Sequence, residues 1–429
     1  MHTKFLIVGA GLSGLSAAYH LKRDYVLCES SDLPGGVAST FNCDGFKLDN
    51  AVHVLYFRKN ETLHWIKNIL KVELLECERR SSVWINNSFV DFPIQYNLNS
   101  LPLVNKINSI GSIFRTFFQK KKSRFENFEE YSINTFGKYL TNLFLKPYNE
   151  KLFGINMSDL NIDWFGDYVP TYSKTKMALS VAGISENNYG RNSRFYYPIS
   201  GGISAIANGL YKKLEIPINF NASLDRLSLK NKTAIFSNGS EVTYDYLINT
   251  IPLKIFLEKI DYLSSEILSV TGLLKKNPIT ILHILCRGNL EWCKNHWIYV
   301  PDQSIPFYRI TLPGNINPAN CPQNHFGITL EFGGIVLEND AVLNASIATL
   351  KQMHLINNGV LILDHFWKVL ECGYVIYDNQ RSVALKKIFP YLRDHDISSI
   401  GRYGNWEYSN MEDAIIHGKN VAEQLIYRQ

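Results

Sequence analysis

The chain opens on an apolar run, Phe5-Leu6-Ile7-Val8, that stops at Gly9. Residues 15–22 then place apolar positions at helical spacing, and a second apolar run, Tyr25-Val26-Leu27-Cys28, ends in Glu29. This pattern predicts a buried strand, a turn, a helix and a second buried strand closed by an acid. From about residue 60 to 195 the period turns mainly helical, most clearly over 65–75 and 136–152. Gly201-Gly202 precedes another helical run that extends to 214. Alternation takes over in 216–229, 233–237 and 244–249, and Asn238-Gly239 between two of these is a hairpin turn signal. Residues 279–334 read as strands with long loops. Residues 373–429 return to a strand, a glycine turn and a final helix, Met411–Tyr427. There is no internal repeat and no low-complexity linker, so the domains are expected to interleave.

The first turn carries chemistry. Gly9-Ala10-Gly11-Leu12-Ser13-Gly14 is a GxGxxG sequence between a predicted strand and a predicted helix. Gly9 permits the tight turn, Gly11 lets a pyrophosphate approach the backbone, and Gly14 lets the helix pack close to the strand. The unpaired amides of the helix start, at Leu12 and Ser13, point at phosphates. Glu29 stands about twenty residues on, where an acid accepts hydrogen bonds from the hydroxyls of an adenosine ribose. An acid at that place disfavours a 2′-phosphate. The unit as a whole binds a dinucleotide.

Composition narrows the remainder. With 429 residues the chain is long enough for two or three domains. Its 46% hydrophobic and 19% charged residues are those of an ordinary globular protein. A net charge of +5 makes no case for nucleic acid. The apolar N-terminus reads as the first strand and helix of the nucleotide unit and not as a signal peptide. No apolar run is long enough to span a membrane. Phe114, Phe117 and Phe118 beside Lys120-Lys121-Lys122 have the character of a basic amphipathic patch for a membrane surface, although a solvated helix end is the plainer reading. The seven cysteines form no CxxC pair and fit reduced thiols in a cytoplasm. The histidines show no metal-ligand spacing.

Further segments add up to a family. Pro34-Gly35-Gly36, Asp49 to His53, Tyr196-Tyr197-Pro198 with Gly201-Gly202, and Tyr244 to Pro252 resemble the cofactor segments of the amine-oxidase and protoporphyrinogen-oxidase flavoproteins. Within that superfamily four stretches look like the UDP-galactopyranose mutases and their relatives in polysaccharide pathways. These are FLKPYNEKLFG at 144–154, PFYRI at 306–310, YVIYD at 374–378 and GRYGNWEYSNMEDA at 401–414.

The resemblance implies an α/β fold: a Rossmann-type FAD-binding domain, an inserted helical domain and a mixed-sheet substrate domain. The implied division is 1–58, 196–255 and 373–429 for FAD, 59–195 for the helical insertion, and 256–372 for the substrate sheet. FAD is implied to lie against Gly9, Gly11, Leu12, Ser13, Gly14, Glu29, Gly35, Gly36, Val37, His53, Leu224, Arg402 and Met411. Catalytic roles are implied for His53 at the flavin ring, Arg309 at the substrate diphosphate, and Tyr374 and Tyr408 as phenols on that diphosphate. Guanidinium forks match phosphate oxygens bidentately.

The implied reaction is a pyranose–furanose interconversion of a nucleotide sugar. N5 of reduced flavin is the nucleophile, and no protein nucleophile is needed. An oligomer is compatible with this reading. The mutases also carry an arginine in a lid just after the FLKPYNEKLFG-like stretch. The corresponding residues here, 163–170, hold none, which leaves Arg191 and Arg194 as candidates to replace it. It also keeps open an ordinary FAD oxidase or dehydrogenase acting on an amine, a tetrapyrrole precursor or another reduced substrate.

Overall fold

The computed structural model describes residues 1–118, 122, 124–164, 173–181, 193–290 and 292–427. Two sheets carry the architecture. In the first, His2–Val8 lies between Tyr25–Cys28 and Glu241–Asn249, parallel to both. Glu241–Asn249 pairs on its other side with Thr233–Phe236, antiparallel, and with Ile397–Ser399, parallel. Leu224–Ser228 closes the edge. Phe5–Val8 and Tyr25–Cys28 are unbroken apolar runs, and every residue in them is buried. The expected turn at Asn238-Gly239 is there, with Gly239 at φ +80° and its amide donating to the Phe236 carbonyl at 2.9 Å.

The helix Leu12–Leu21 follows the glycine turn and packs along the final helix Met411–Tyr427, whose bounds match the sequence reading. The two helices meet almost backbone to backbone. A Cβ on Gly418 would stand 2.3 Å from the Ser13 carbonyl, and Ser16 Oγ donates to the Ile415 carbonyl at 2.7 Å. Residues 400 steps apart in sequence thus build one wall of the nucleotide unit.

The second sheet runs in the order Leu361–Val375, Lys276–Arg287, His325–Gly333, Arg309–Thr311, Trp297–Tyr299, Ser81–Ile85, Ser88–Asp91. Its last two strands come from the segment expected to be mainly helical. A third strand of that segment, Leu74–Glu78, pairs with Arg194–Pro198. The helical reading of 65–75 therefore needs correction. The helix is Asn60–Asn68 and it stops because Lys71 takes φ +57°, with the Val72 amide returning to the Ile66 carbonyl at 3.2 Å. The 136–152 reading fares better: helical turns run through it and end in the helix Lys146–Phe153, capped by Gly154 in the left-handed region.

Two buried histidines sit under the second sheet's strands and stay neutral. Burial, then the nearby Arg80 charge, holds His296 at about 4; burial, then Lys368, holds His283 at about 4. His296 Nδ1 accepts the Arg80 amide at 3.0 Å, which places its proton on Nε2. Protonating Nδ1 would set two donors face to face. The unfolded ring titrates near 6.5, so this contribution is complete above that pH and is lost as pH falls toward about 4. His296→Asn keeps an acceptor and removes the titration. Between pH 7 and 4.5 wild type should lose about 2 kcal/mol more than the variant in denaturant unfolding. Equal losses would rule out the neutral ring as the cause.

Candidate functional site

The glycine turn is shaped by contact distances. A Cβ on Gly14 would lie 1.9 Å from the Gly9 carbonyl oxygen, so only glycine lets the helix start this close to the strand. Gly11 is the opposite case: it is the N-cap, with no side-chain cap, and a Cβ there would meet nothing within 4 Å. A Cβ on Gly36 would face only the Gly11 Cα, at 3.5 Å. The first helical turn contains no acid. Bare amides therefore face an open concave surface between Gly11 and Gly36, which suits a pyrophosphate. Gly35 ties the two turns together, its amide donating to the Ala10 carbonyl at 2.9 Å.

Glu29 is buried at the end of its strand. Oε2 accepts the Ala10 amide at 2.6 Å, and Oε1 accepts the Ser31 amide and hydroxyl, each at 2.9 Å, together with Ser30 Oγ at 3.1 Å. It therefore braces the glycine turn as well as facing the cavity. Its less crowded oxygen, Oε2, retains acceptor capacity.

A cavity of about 620 Å³ runs from this turn to the second sheet. Gly9, Gly11, Leu12, Ser13 and Glu29 line its near end, followed by Gly35, Gly36 and Val37. His53, Arg402, Met411, Arg309, Tyr374 and Tyr408 line it as well. Of the residues singled out in the sequence, Gly14 and Leu224 are not on the lining. Gly14 acts through packing, as its spacing implied. Leu224 is a correction: it opens the strand Leu224–Ser228 with its side chain turned inward among Val26, Cys28 and Phe236.

In this cavity His53 has its Nδ1 buried with no hydrogen-bond partner among the described residues. Burial, and then the Arg402 charge, lowers its pKa to about 4. The ring is therefore neutral at pH 7. Arg402 donates from Nη1 to the Ser409 carbonyl at 2.7 Å, and among the described residues no carboxylate pairs with it. Three phenol rings surround its guanidinium: Tyr408 at 4.6 Å, Tyr374 at 5.5 Å and Tyr403 at 5.8 Å from the centroids. Tyr374 and Tyr408 stack at 6.3 Å and 13°. Trp164 packs edge-on against Tyr408 at 5.8 Å. The rest of the lid-like stretch, from Phe165 on, lies outside the described residues, as does Arg191.

Arg309 is placed differently from what its motif implied. Its fork is occupied: Nε donates to Glu331 Oε1 at 2.8 Å, and Nη2 donates to Oε2 in a very close contact. Glu331 is fully buried in the strand His325–Gly333. It also accepts the Tyr308 hydroxyl at 2.8 Å and the Val52 amide at 3.3 Å. The Arg309 charge is thus already matched, and its bidentate face does not await a phosphate. Sequence reasoning passed over Glu331. A lone acid inside the apolar run His325–Gly333 was the signal, because a strand buried on both faces keeps an acid only when a cation meets it.

Arg79 was also missed. It lines the cavity from the link between Leu74–Glu78 and Ser81–Ile85, beside Tyr56, with its guanidinium 5.0 Å from the Phe92 ring. Phe92 in turn packs on Tyr299 at 4.6 Å. No carboxylate pairs with Arg79 among the described residues. Nothing in Glu78-Arg79-Arg80 shows from sequence which side chain turns inward. Arg194, by contrast, is exposed and pairs with Glu76 at 3.1 Å, away from the cavity, so it does not replace the lid arginine.

The residues present fit an extended flavin dinucleotide: an open glycine cradle, a ribose-facing acid, and an unpartnered ring nitrogen farther along the same cavity. The family model of flavin-containing amine oxidoreductases matches residues 12–311. The chain belongs to this family, and FAD is its cofactor. The fold is that of a reduced UDP-galactopyranose mutase structure, at TM-score 0.92 and 24% identity, covering 100% of this chain and 95% of that one. A structure of a putative protoporphyrinogen oxidase from Exiguobacterium sp. 255-15 follows at TM-score 0.75 and 15% identity, covering 100% and 99%. By sequence the chain is 23% identical over 287 residues to coproporphyrinogen III oxidase of Staphylococcus aureus (strain NCTC 8325 / PS 47), a match spanning 58% of this chain and 61% of that enzyme. No helix among the described residues is long and apolar enough to cross a membrane.

Two glycines separate cofactor binding from folding. Gly11→Val should fold with an apo-protein melting curve close to wild type and retain less than about a tenth of the FAD, because its side chain enters the pyrophosphate space. Gly14→Val should fail to fold at all. Stoichiometric FAD in purified Gly11→Val, read from the absorbance of released flavin, would show the cradle to be elsewhere. Glu331→Ala strands a buried guanidinium and should cost about 3–5 kcal/mol in denaturant unfolding; a loss below about 1 kcal/mol would mean the pair is replaceable by water.

Proposed function

We propose that this flavoenzyme interconverts the ring forms of a nucleotide sugar, as a mutase. The observation that carries the reading is the Arg402 guanidinium, without a carboxylate partner among the described residues and boxed by Tyr374, Tyr403 and Tyr408. A fixed cation ringed by phenol donors is built to receive a diphosphate. Arg79 adds a second cation at the same cavity and is the described residue we assign to the role of the arginine that 163–170 lack. In this reading FAD lies within 1–58, 196–255 and 373–429. The sugar meets it under the sheet of 256–372, which the strands Ser81–Ile85 and Ser88–Asp91 extend.

Reduced FAD supplies a nucleophilic ring nitrogen, so the protein needs none of its own. The lining agrees. Its cysteine, Cys372, has a thiol pushed up to about 12 by burial, and it is no nucleophile at neutral pH. His53 offers a hydrogen bond without a charge. Arg402 and the phenols hold the departing diphosphate and stabilise its charge in a water-poor cavity. The Arg309–Glu331 pair is neutral as a unit and positions Tyr308 and the Val52 amide. The cytoplasm is the compartment we propose, since all seven cysteines are free thiols.

A second reading is hydride transfer to FAD from a reduced substrate, in keeping with the oxidases among the relatives. Incubation with dithionite and a panel of UDP- and dTDP-sugars separates the two. Furanose product formed only under reduction is the expected result. Hydrogen peroxide formed stoichiometrically from a tetrapyrrole or amine, without furanose, would overturn the mutase. UDP titrations followed by flavin fluorescence test the charge assignment. Arg402→Ala and Arg79→Ala should each weaken UDP about 10- to 100-fold, the worth of a charged hydrogen bond. Arg309→Ala should act mainly on stability. A wild type that binds no UDP would remove the diphosphate role altogether.

A further inference from the structure

The helix Leu103–Phe117 is built inside out. Its buried face holds Asn105, Ser109 and Thr116, with Ile113 the single large apolar residue. Asn105 ties the helix to its neighbours by hydrogen bonds, Asn86 Nδ2 to Asn105 Oδ1 at 3.0 Å and Asn105 Nδ2 to the Tyr139 hydroxyl at 3.4 Å. Thr116 Oγ1 donates back to the Ile113 carbonyl at 2.7 Å, and Ser109 Oγ is buried with no partner among the described residues. On the next turns, Ser112 Oγ accepts the Tyr139 amide at 2.9 Å. The outer face carries the apolar side chains. Leu103 is 71% exposed, Val104 68%, Ile107 60%, Phe114 61% and Phe118, just past the end, 76%. Phe114 and Phe118 touch edge to face at 5.1 Å. Leaving this much apolar surface in water while burying amides and hydroxyls reverses the usual economy of a surface helix.

The sequence through this helix and just beyond it carries charge of one sign, although Lys122 is taken up by an ion pair with Glu130 of the helix Phe128–Phe136. No Asp or Glu occurs between Asp91 and Glu126, while Lys106, Arg115, Lys120, Lys121, Lys122 and Arg124 all do. Arg115 is exposed on the apolar side of the helix. We infer that this helix is a membrane-surface anchor that lies in the interface of a bilayer containing anionic lipid. Leu103, Val104, Ile107, Phe114 and Phe118 enter the acyl boundary, and Lys106 and Arg115 meet the headgroups. A second copy fits less well, because two-fold pairing of this face sets the same cations against each other. At 15 residues the helix is far too short to span, so it lies on the surface. The inference does not depend on the reaction proposed above.

The test uses the full-length holoprotein and vesicles of phosphatidylcholine, alone or with about a third phosphatidylglycerol. Sedimentation with the anionic vesicles, none with the neutral ones, and release by high salt is the expected pattern. The pair Phe114→Ser with Phe118→Ser should lower the bound fraction at least about tenfold with FAD content and melting temperature unchanged, since both side chains are exposed. Arg115→Glu should weaken binding to anionic vesicles in the same assay. Three results would overturn the proposal: no sedimentation with either vesicle, undiminished binding by the double variant, or a concentration-dependent dimer in analytical ultracentrifugation that the same double variant dissolves.

Discussion

The buried carboxylate of Glu331 is the constraint from which the site is arranged. An ionised carboxylate inside a seven-stranded sheet carries a desolvation cost of several kcal/mol unless its oxygens are filled. Here they are filled by three groups from two separate pieces of chain. Arg309 comes from the neighbouring strand, Tyr308 from the residue before it, and the Val52 amide from the loop that bears His53. The last of these matters most for function. It fastens the loop that bears His53 to the second sheet, on the wall of the same cavity. Both partners must stay: removing either leaves the other charged and dry.

This pairing decides where positive charge remains for a ligand. Arg309 is used up inside the protein. Arg402 and Arg79 are not, and they enter from different elements, one at the start of the C-terminal cofactor segment and one from a link between two short strands. Neither sits on the lid-like stretch. Under the reading proposed above, an anion would meet rigid parts that exist before a ligand arrives, which lowers the ordering cost of binding. Lys151 serves the same rigidity. Its ammonium donates to the carbonyls of Val300, Asp302, Ile305 and Phe307 at 2.7–3.0 Å, clamping the loop that leads into Arg309.

The legible parts of the sequence were the local ones. The strand, glycine turn, helix and acid of residues 5–29 specify one another within a few turns of chain, and the final helix announces itself by period alone. Family-like stretches brought His53, Arg402, Tyr374 and Tyr408 to one cavity. What escaped was set by distant partners. The strands Ser81–Ile85 and Ser88–Asp91 are short apolar runs whose identity depends on a sheet built mostly after residue 270. Leu224 turns inward because its strand edges the nucleotide sheet, which no pattern around 224 reveals. Arg79 and Arg80 are indistinguishable until the sheet chooses which faces inward. Arg309 was read as a free fork because Glu331, its partner, lies in another strand and looks like one acid among many.

The electrostatics of the finished site follow from burial more than from any single pair. His53 is held down to about 4, while Tyr56 and Tyr403 are pushed up to about 12, in each case by burial first. These groups thus keep one protonation state from mildly acidic to strongly alkaline solution. The guanidiniums do not titrate in that range at all. The cavity thus combines cations at Arg402 and Arg79, phenol rings around Arg402, and a neutral imidazole whose Nδ1 has no protein partner among the described residues. Such a site does not trade protons with a substrate through a tuned acid and base, the arrangement that hydrolases rely on. In the reading proposed above, it holds charge that a bound group already has or acquires, and it leaves bond-making to the cofactor. That division of labour is the physical reason why an arginine-and-tyrosine box, rather than a catalytic dyad, is what this fold gathers beside its flavin cavity.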